Sequence, residues 1–160
     1  MRKRRIRFSE GVVFLIPLNQ GGFAVALIAR CDVKGSGVLA YIFKRAVDQI
    51  QTFDMGCVVS SEMVSDVVDV GVQSLRSGDW PIVGLLPSWN RSDWPVPVFR
   101  DRGGQLSIRS QDDYRKEIGA GRDSNDKNIF RYVVYGHSAL QSRLSLRFSQ
   151  EENDRDWRVK

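Results

Sequence analysis

The sequence predicts an α+β, mainly β domain: a strongly curved antiparallel sheet with a C-terminal helix packed on it. Three observations predict this class. Apolar, β-compatible runs at residues 11–18 and 23–28 flank Asn19-Gln20-Gly21-Gly22, whose glycines can take the positive φ of a tight hairpin turn. Val64, Val67, Val68, Val70 and Val72 form a valine-rich run, and branching at Cβ favours strand over helix. Near the end, Leu140, Leu144 and Phe148 recur every four residues, one apolar stripe of a helix over residues 138–150 with Ser138 as its N-cap.

The remaining elements follow in order. Residues 32–37 are a turn-rich connection and 38–43 a third strand. Residues 44–54 are ambiguous, because Ala46, Val47 and Ile50 have helical spacing in a short segment. Cys57-Val58-Val59 reads as strand. The turn at residues 77–81 leads into a strand over 82–86. Residues 87–97 hold three prolines and two tryptophans and must be loop or edge structure. Residues 98–100 and 105–109 flank Asp101-Arg102-Gly103-Gly104 as a second hairpin, with Leu106 and Ile108 alternating against Ser107 and Arg109. Residues 110–128 have few apolar anchors and read as an exposed loop, and 129–135 as a last strand.

A chain of 160 residues fits one domain, able to bury about two-thirds of its unfolded surface. Within it, residues 1–9 form a basic N-terminal arm and 151–160 a charged C-terminal tail. The hydrophobic share of 42% argues against wholesale disorder. No apolar run approaches the roughly 20 residues of a membrane-spanning helix. The formal charge of +5 is concentrated in the arm, which could bind phosphates or an acidic protein surface, or could simply be solvated. Arg2-Lys3-Arg4-Arg5 ahead of the first apolar run imitates a signal peptide. Glu10 and the turn at 19–22 break that pattern, and Arg30 spoils a lipoprotein box before Cys31, so a cytoplasmic location is expected. There both Cys31 and Cys57 would be reduced.

Several motifs follow one another in a telling order. Gly11, Val13, Phe14, Ile16, Pro17 and Leu18 lead, and Gly22-Phe23-Ala24-Val25-Ala26 returns. The strand Leu39-Ala40-Tyr41-Ile42-Phe43 comes next, then Gly78, Trp80, Val83 and Gly84, then Pro95-Val96-Pro97-Val98-Phe99. In this order and spacing the chain resembles the immunity-protein family numbered twenty-six of bacterial polymorphic toxin systems, over residues 5–150. The loop at 111–128 is longer and more charged than that pattern. The resemblance implies a cytoplasmic, antitoxin-like protein that binds a cognate toxin domain and blocks it without catalysis.

The residues themselves give no catalytic signature. His137 is the only histidine, so a multi-histidine metal site is ruled out and a histidine base would have to be this one. Gly119-Ala120-Gly121 lacks the Lys-Ser/Thr of a phosphate loop. Asp112-Asp113 and Asp123 to Asp126 do not match a calcium loop. No cofactor or metal is expected.

Trp80, Trp89 and Trp94 fall close together, and Trp80 reads as core. Trp89 and Trp94 lie in a polar loop with Arg91 and Asp93. Such rings either anchor a protein partner or fold back over a small core. The expected partner-binding residues are Trp89, Arg91, Asp93 and Trp94, with the charged loop at 115–127 as a second region. An acidic partner face would complement the chain. The alternative is a nucleic-acid-binding module in which Arg91, Arg100, Arg102 and Arg109 supply charge beside Trp89, Trp94 and Phe99. Asp79, Asp93 and Asp101 dilute that stripe.

Overall fold

The computed structural model describes residues 8–50, 54–121 and 129–158, and for residues 57 and 151–158 the backbone only. Most of the basic arm, residues 1–7, lies outside the described residues.

Among the described residues, ten strands and three α-helices follow in chain order. The strands β1 (Val12–Pro17), β2 (Phe23–Cys31) and β3 (Gly37–Val47) precede a one-turn helix α1 (Met55–Val58). Next come β4 (Val64–Gly71), the short helix α2 (Gln73–Ser77) and β5 (Ile82–Leu85). A second group, β6 (Phe99–Arg100), β7 (Leu106–Arg109) and β8 (Glu117–Gly121), is followed by β9 (Phe130–Arg131), β10 (Val134–Tyr135) and the helix α3 (His137–Arg158). Six strands form a central sheet in the order β10-β4-β3-β2-β1-β5, and four form a smaller sheet in the order β8-β7-β6-β9. Both sheets are antiparallel except at one edge each, where β10 runs parallel to β4 and β9 parallel to β6.

The N-terminal hairpin forms as its composition requires. Gly21 and Gly22 sit at φ 99° and 74°, and Leu18 N–H donates to the Gly22 carbonyl at 3.0 Å. Strand alternation then divides the apolar residues between two cores. Phe14, Ile16, Ile28, Ile42 and Val70 face Trp80, Leu140, Leu144 and Phe148. Val13, Leu15, Leu27, Leu39 and Phe43 face Trp94, Phe99 and Tyr114 on the other side. The central sheet is covered on both faces, which is why its strands read as continuous apolar runs. Each fully buried large side chain contributes about 2–3 kcal/mol of transfer free energy.

Several expectations are corrected. The ambiguous stretch after residue 43 continues β3 to Val47, and irregular pairing between Ala24 and Ala26 breaks the period of two there. Cys57-Val58-Val59 is not a strand. Asp54 caps α1 by accepting from the Gly56 N–H at 2.9 Å, and this local bond outweighs the β preference of valine. Residues 110–121 are not a free loop: Tyr114 is fully buried and β8 pairs with β7. In β7, Ser107 is buried and Ile108 is 42% exposed, the reverse of the expected alternation. The strand expected over 129–135 splits into β9 and β10, which close different sheets. Helix α3 begins at His137, so Ser138 lies inside it, and it runs through most of the expected charged tail. No helix among the described residues is long and apolar enough to cross a membrane.

Candidate functional site

The tryptophan segment after β5 is held from both ends. Asn90 accepts from the Ser92 N–H at 3.2 Å and fixes a 3₁₀ turn over Arg91–Asp93. Behind it lies Arg30, only 3% exposed, which donates to the Trp94 carbonyl at 3.0 Å and the Gln111 carbonyl at 2.8 Å. Burial pushes the Arg30 pKa down. The Gln111 side chain bonds both the N–H and the carbonyl of Val96, at 2.7 and 2.9 Å, as a neighbouring strand would. The Tyr41 hydroxyl donates to the Pro95 carbonyl. With four fixed carbonyls and amides, the segment is a rigid platform.

This anchoring decides what the expected site residues do. Trp94 is buried, edge-on to Tyr41 and Phe43 with ring centres 5.2 and 5.8 Å away, so its ring belongs to the second core. Trp80 is also core and stacks on Phe14. Trp89 is half-buried. It lies against Gly11, where φ is 89° and a Cβ would stand 2.7 Å from Trp89 Cγ, so glycine is required on both counts. Arg91 pairs with Glu10 at 3.1 Å and Asp112 at 3.0 Å, and the hydrogen bond to Glu10 raises its pKa. Asp93 is exposed. The platform therefore offers Asp93, Ser92, Asn90 and part of Trp89 to its surroundings, while Arg91 and Trp94 hold it in place.

Phe130 borders three concavities, of which the first adjoins this platform. One, of about 640 Å³, runs between Asp93, Trp94 and Pro95 on one side and Tyr41, Lys44 and Glu62 on the other. The second, about 610 Å³, lies along β9, β10 and α3, with Arg102, Arg131 and Arg143 around Asp66 and Tyr135. A shallower hollow of about 460 Å³ joins Arg100, Arg102 and Arg131. The arginine stripe expected from the sequence is not assembled. Arg91 is engaged in ion pairs, and Arg109 lies 3.7 Å over the Tyr132 ring while donating to the carbonyls of Tyr114 and Arg115.

Sequence reasoning missed the cluster around Asp69. This carboxylate, with no exposed side-chain surface, projects from β4 towards the smaller sheet. Arg115 donates to both of its oxygens at 3.0 Å, and the hydroxyls of Tyr132 and Tyr114 add bonds of 2.7 and 3.2 Å. Arg115 also reaches Asp32 at 3.1 Å, and the Ser36 hydroxyl, ahead of that charge, holds the Asp32 carboxyl below its usual range. Burial, then Asp69, pushes both tyrosines well above their ordinary range. The one available signal was an acid inside a valine run, with Tyr114-Arg115 in a supposed loop. Of the expected second binding region, Arg115 is thus a structural tie, and residues 122–127 lie outside the described residues.

His137 is exposed at the start of α3. Cys31 is a free thiol whose pKa burial raises. Among the described residues, no group of three or more His, Cys, Asp or Glu is placed to hold a metal ion.

The described residues thus form a two-sheet β scaffold with a fixed platform beside a groove. The chain belongs to the Immunity protein 26 family, whose model matches residues 9–112. No curated protein and no solved structure matches it. The matched range covers β1 to β7 and the tryptophan platform; most of the arginine-lined groove lies beyond it.

Proposed function

We propose that this immunity protein neutralises a cognate toxin domain by binding and occluding it in the cytoplasm, without catalysing a reaction. The observation that carries the reading is the family match over residues 9–112. The chain acts here as one domain, residues 1–160, since the central sheet supplies residues to both cores. Occlusion needs a surface that does not rearrange, so that little ordering entropy is lost on association. The platform of Trp89, Arg91, Asp93 and Trp94 meets that need: Arg91 and Trp94 as its fixings, Asp93 and the open part of Trp89 as contacts.

The test is co-expression with the toxin domain encoded beside its gene. Growth should be rescued, and the two proteins should co-purify at fixed stoichiometry after nuclease treatment. Rescue with no complex would sink occlusion. Loss of every protein partner on nuclease digestion would favour nucleic-acid binding instead. Asp93→Lys should weaken the complex about tenfold while leaving the melting temperature unchanged.

A further inference from the structure

We infer that the groove between β9, β10 and α3 is a docking site for a carboxylate-bearing segment of the protein partner. The inference deepens the immunity reading and rests on it for the partner's identity. Three observations carry it.

The first is the allocation of charge. Arg30, Arg91, Arg115 and Arg147 are all committed to partners within the fold. Arg102 and Arg131 are exposed and have no ion pair within the described residues. Arg143 points to the same groove, sharing Asp66 with Arg147 at a long 3.6 Å. Three guanidinium groups against one carboxylate leave an unbalanced positive site. Guanidinium is the cation that grips a carboxylate with two parallel bonds, and arginine is enriched at interfaces.

The second is an apolar floor. Val67, Val68, Phe130 and Val134 line the groove between the charged groups, and Val134 is 60% exposed. A strand or loop alternating acidic and apolar residues would satisfy both chemistries at once.

The third is the open backbone. Among the described residues, β9 and β10 are each the terminal strand of a sheet, so the outer edge of each has no strand partner there. An extended segment can add to such an edge through main-chain bonds while its side chains settle specificity. A polynucleotide would find charge here, but it would also meet Asp66, and of the aromatic rings that border the groove Tyr132 and Tyr135 each already carry a guanidinium over a face, from Arg109 at 3.7 Å and Arg143 at 5.4 Å. A protein segment is favoured.

The experiment uses the full chain and three fluorescent probes: a Glu-Val repeat peptide, its Gln-Val counterpart and oligothymidylate of equal charge. Anisotropy should show the Glu-Val peptide bound, weakening with salt, and the Gln-Val peptide not bound. Arg102→Glu with Arg131→Glu should reduce Glu-Val affinity about tenfold or more, whereas Lys116→Glu, at the exposed residue just before β8 and outside the groove lining, should change it less than about twofold. Circular dichroism melts establish that both variants fold. No Glu-Val binding, equal loss in both variants, or tighter binding of oligothymidylate would overturn the inference. Toxin co-expression separates the two levels. If wild type and the double variant rescue growth equally, the groove is not the docking site while the immunity reading stands. If wild type fails to rescue, the immunity reading itself falls, and the peptide result alone then decides whether the groove binds carboxylates.

Discussion

At the scale of single residues, Asp69 joins β4 to Tyr114, Arg115 and Tyr132. A carboxylate removed from water is tolerated because a guanidinium and two hydroxyls saturate it. Asp69→Asn should destabilise the fold by on the order of 2 kcal/mol, less than for a wholly buried pair because Arg115 keeps some contact with water. Urea unfolding measures this, and an unchanged midpoint would refute it. Tyr41 makes a second case. Burial pushes its pKa up from 10.0 to about 12. The unfolded chain therefore releases this proton first, and the stability present below pH 10.0 falls as pH rises towards about 12. Tyr114 and Tyr132 shift in the same direction, so Tyr41→Phe should make the alkaline decline shallower without abolishing it. Superimposable pH profiles would show that Tyr41 is not among the groups responsible. None of this was legible beforehand, because a tyrosine in a polar stretch carries no mark of the acid it will meet across the fold. Tryptophan was half legible: Trp80 read as core, whereas Trp94 needed Tyr41 and Phe43, distant in sequence, to settle its place.

At the scale of elements, periodicity succeeded where the chain is regular. The stripe of Leu140, Leu144 and Phe148 found α3, and those three side chains are buried against the central sheet. Leu144→Ala should cost about 3 kcal/mol through lost contacts and a cavity. Leu146→Ala, on a residue 61% exposed in the same turn, should cost under about 0.5 kcal/mol. Similar melting shifts for the pair would mean the helix does not pack as described. Reading failed where a few local bonds override propensity. One aspartate cap made a helix of Met55–Val58, and a shift in register carried β3 past residue 43. β8 was missed because Glu117–Gly121 carries two glycines and a charge, and its pairing with β7 stabilises what its composition does not.

At the scale of the whole molecule, one short stretch joins the two sheets. Phe130 pairs with Phe99 in the smaller sheet, and four residues later Val134 pairs with Asp69 in the central one. The hairpins β1–β2 and β6–β7 close between near neighbours, but these two parallel edges bridge much longer loops. Closure entropy makes such contacts late in folding. Pulse-labelled hydrogen exchange should find the amides of β1 and β2 protected before those of β9 and β10; simultaneous protection would contradict this order. The arginine-lined groove is built on those edges and on α3, so in this order it forms after the β1–β2 hairpin. Under the proposed immunity function, timing then matters: a cell that makes the toxin stays exposed until β9, β10 and α3 have docked, and slow docking of these elements would lengthen that interval even if the formed surface bound tightly.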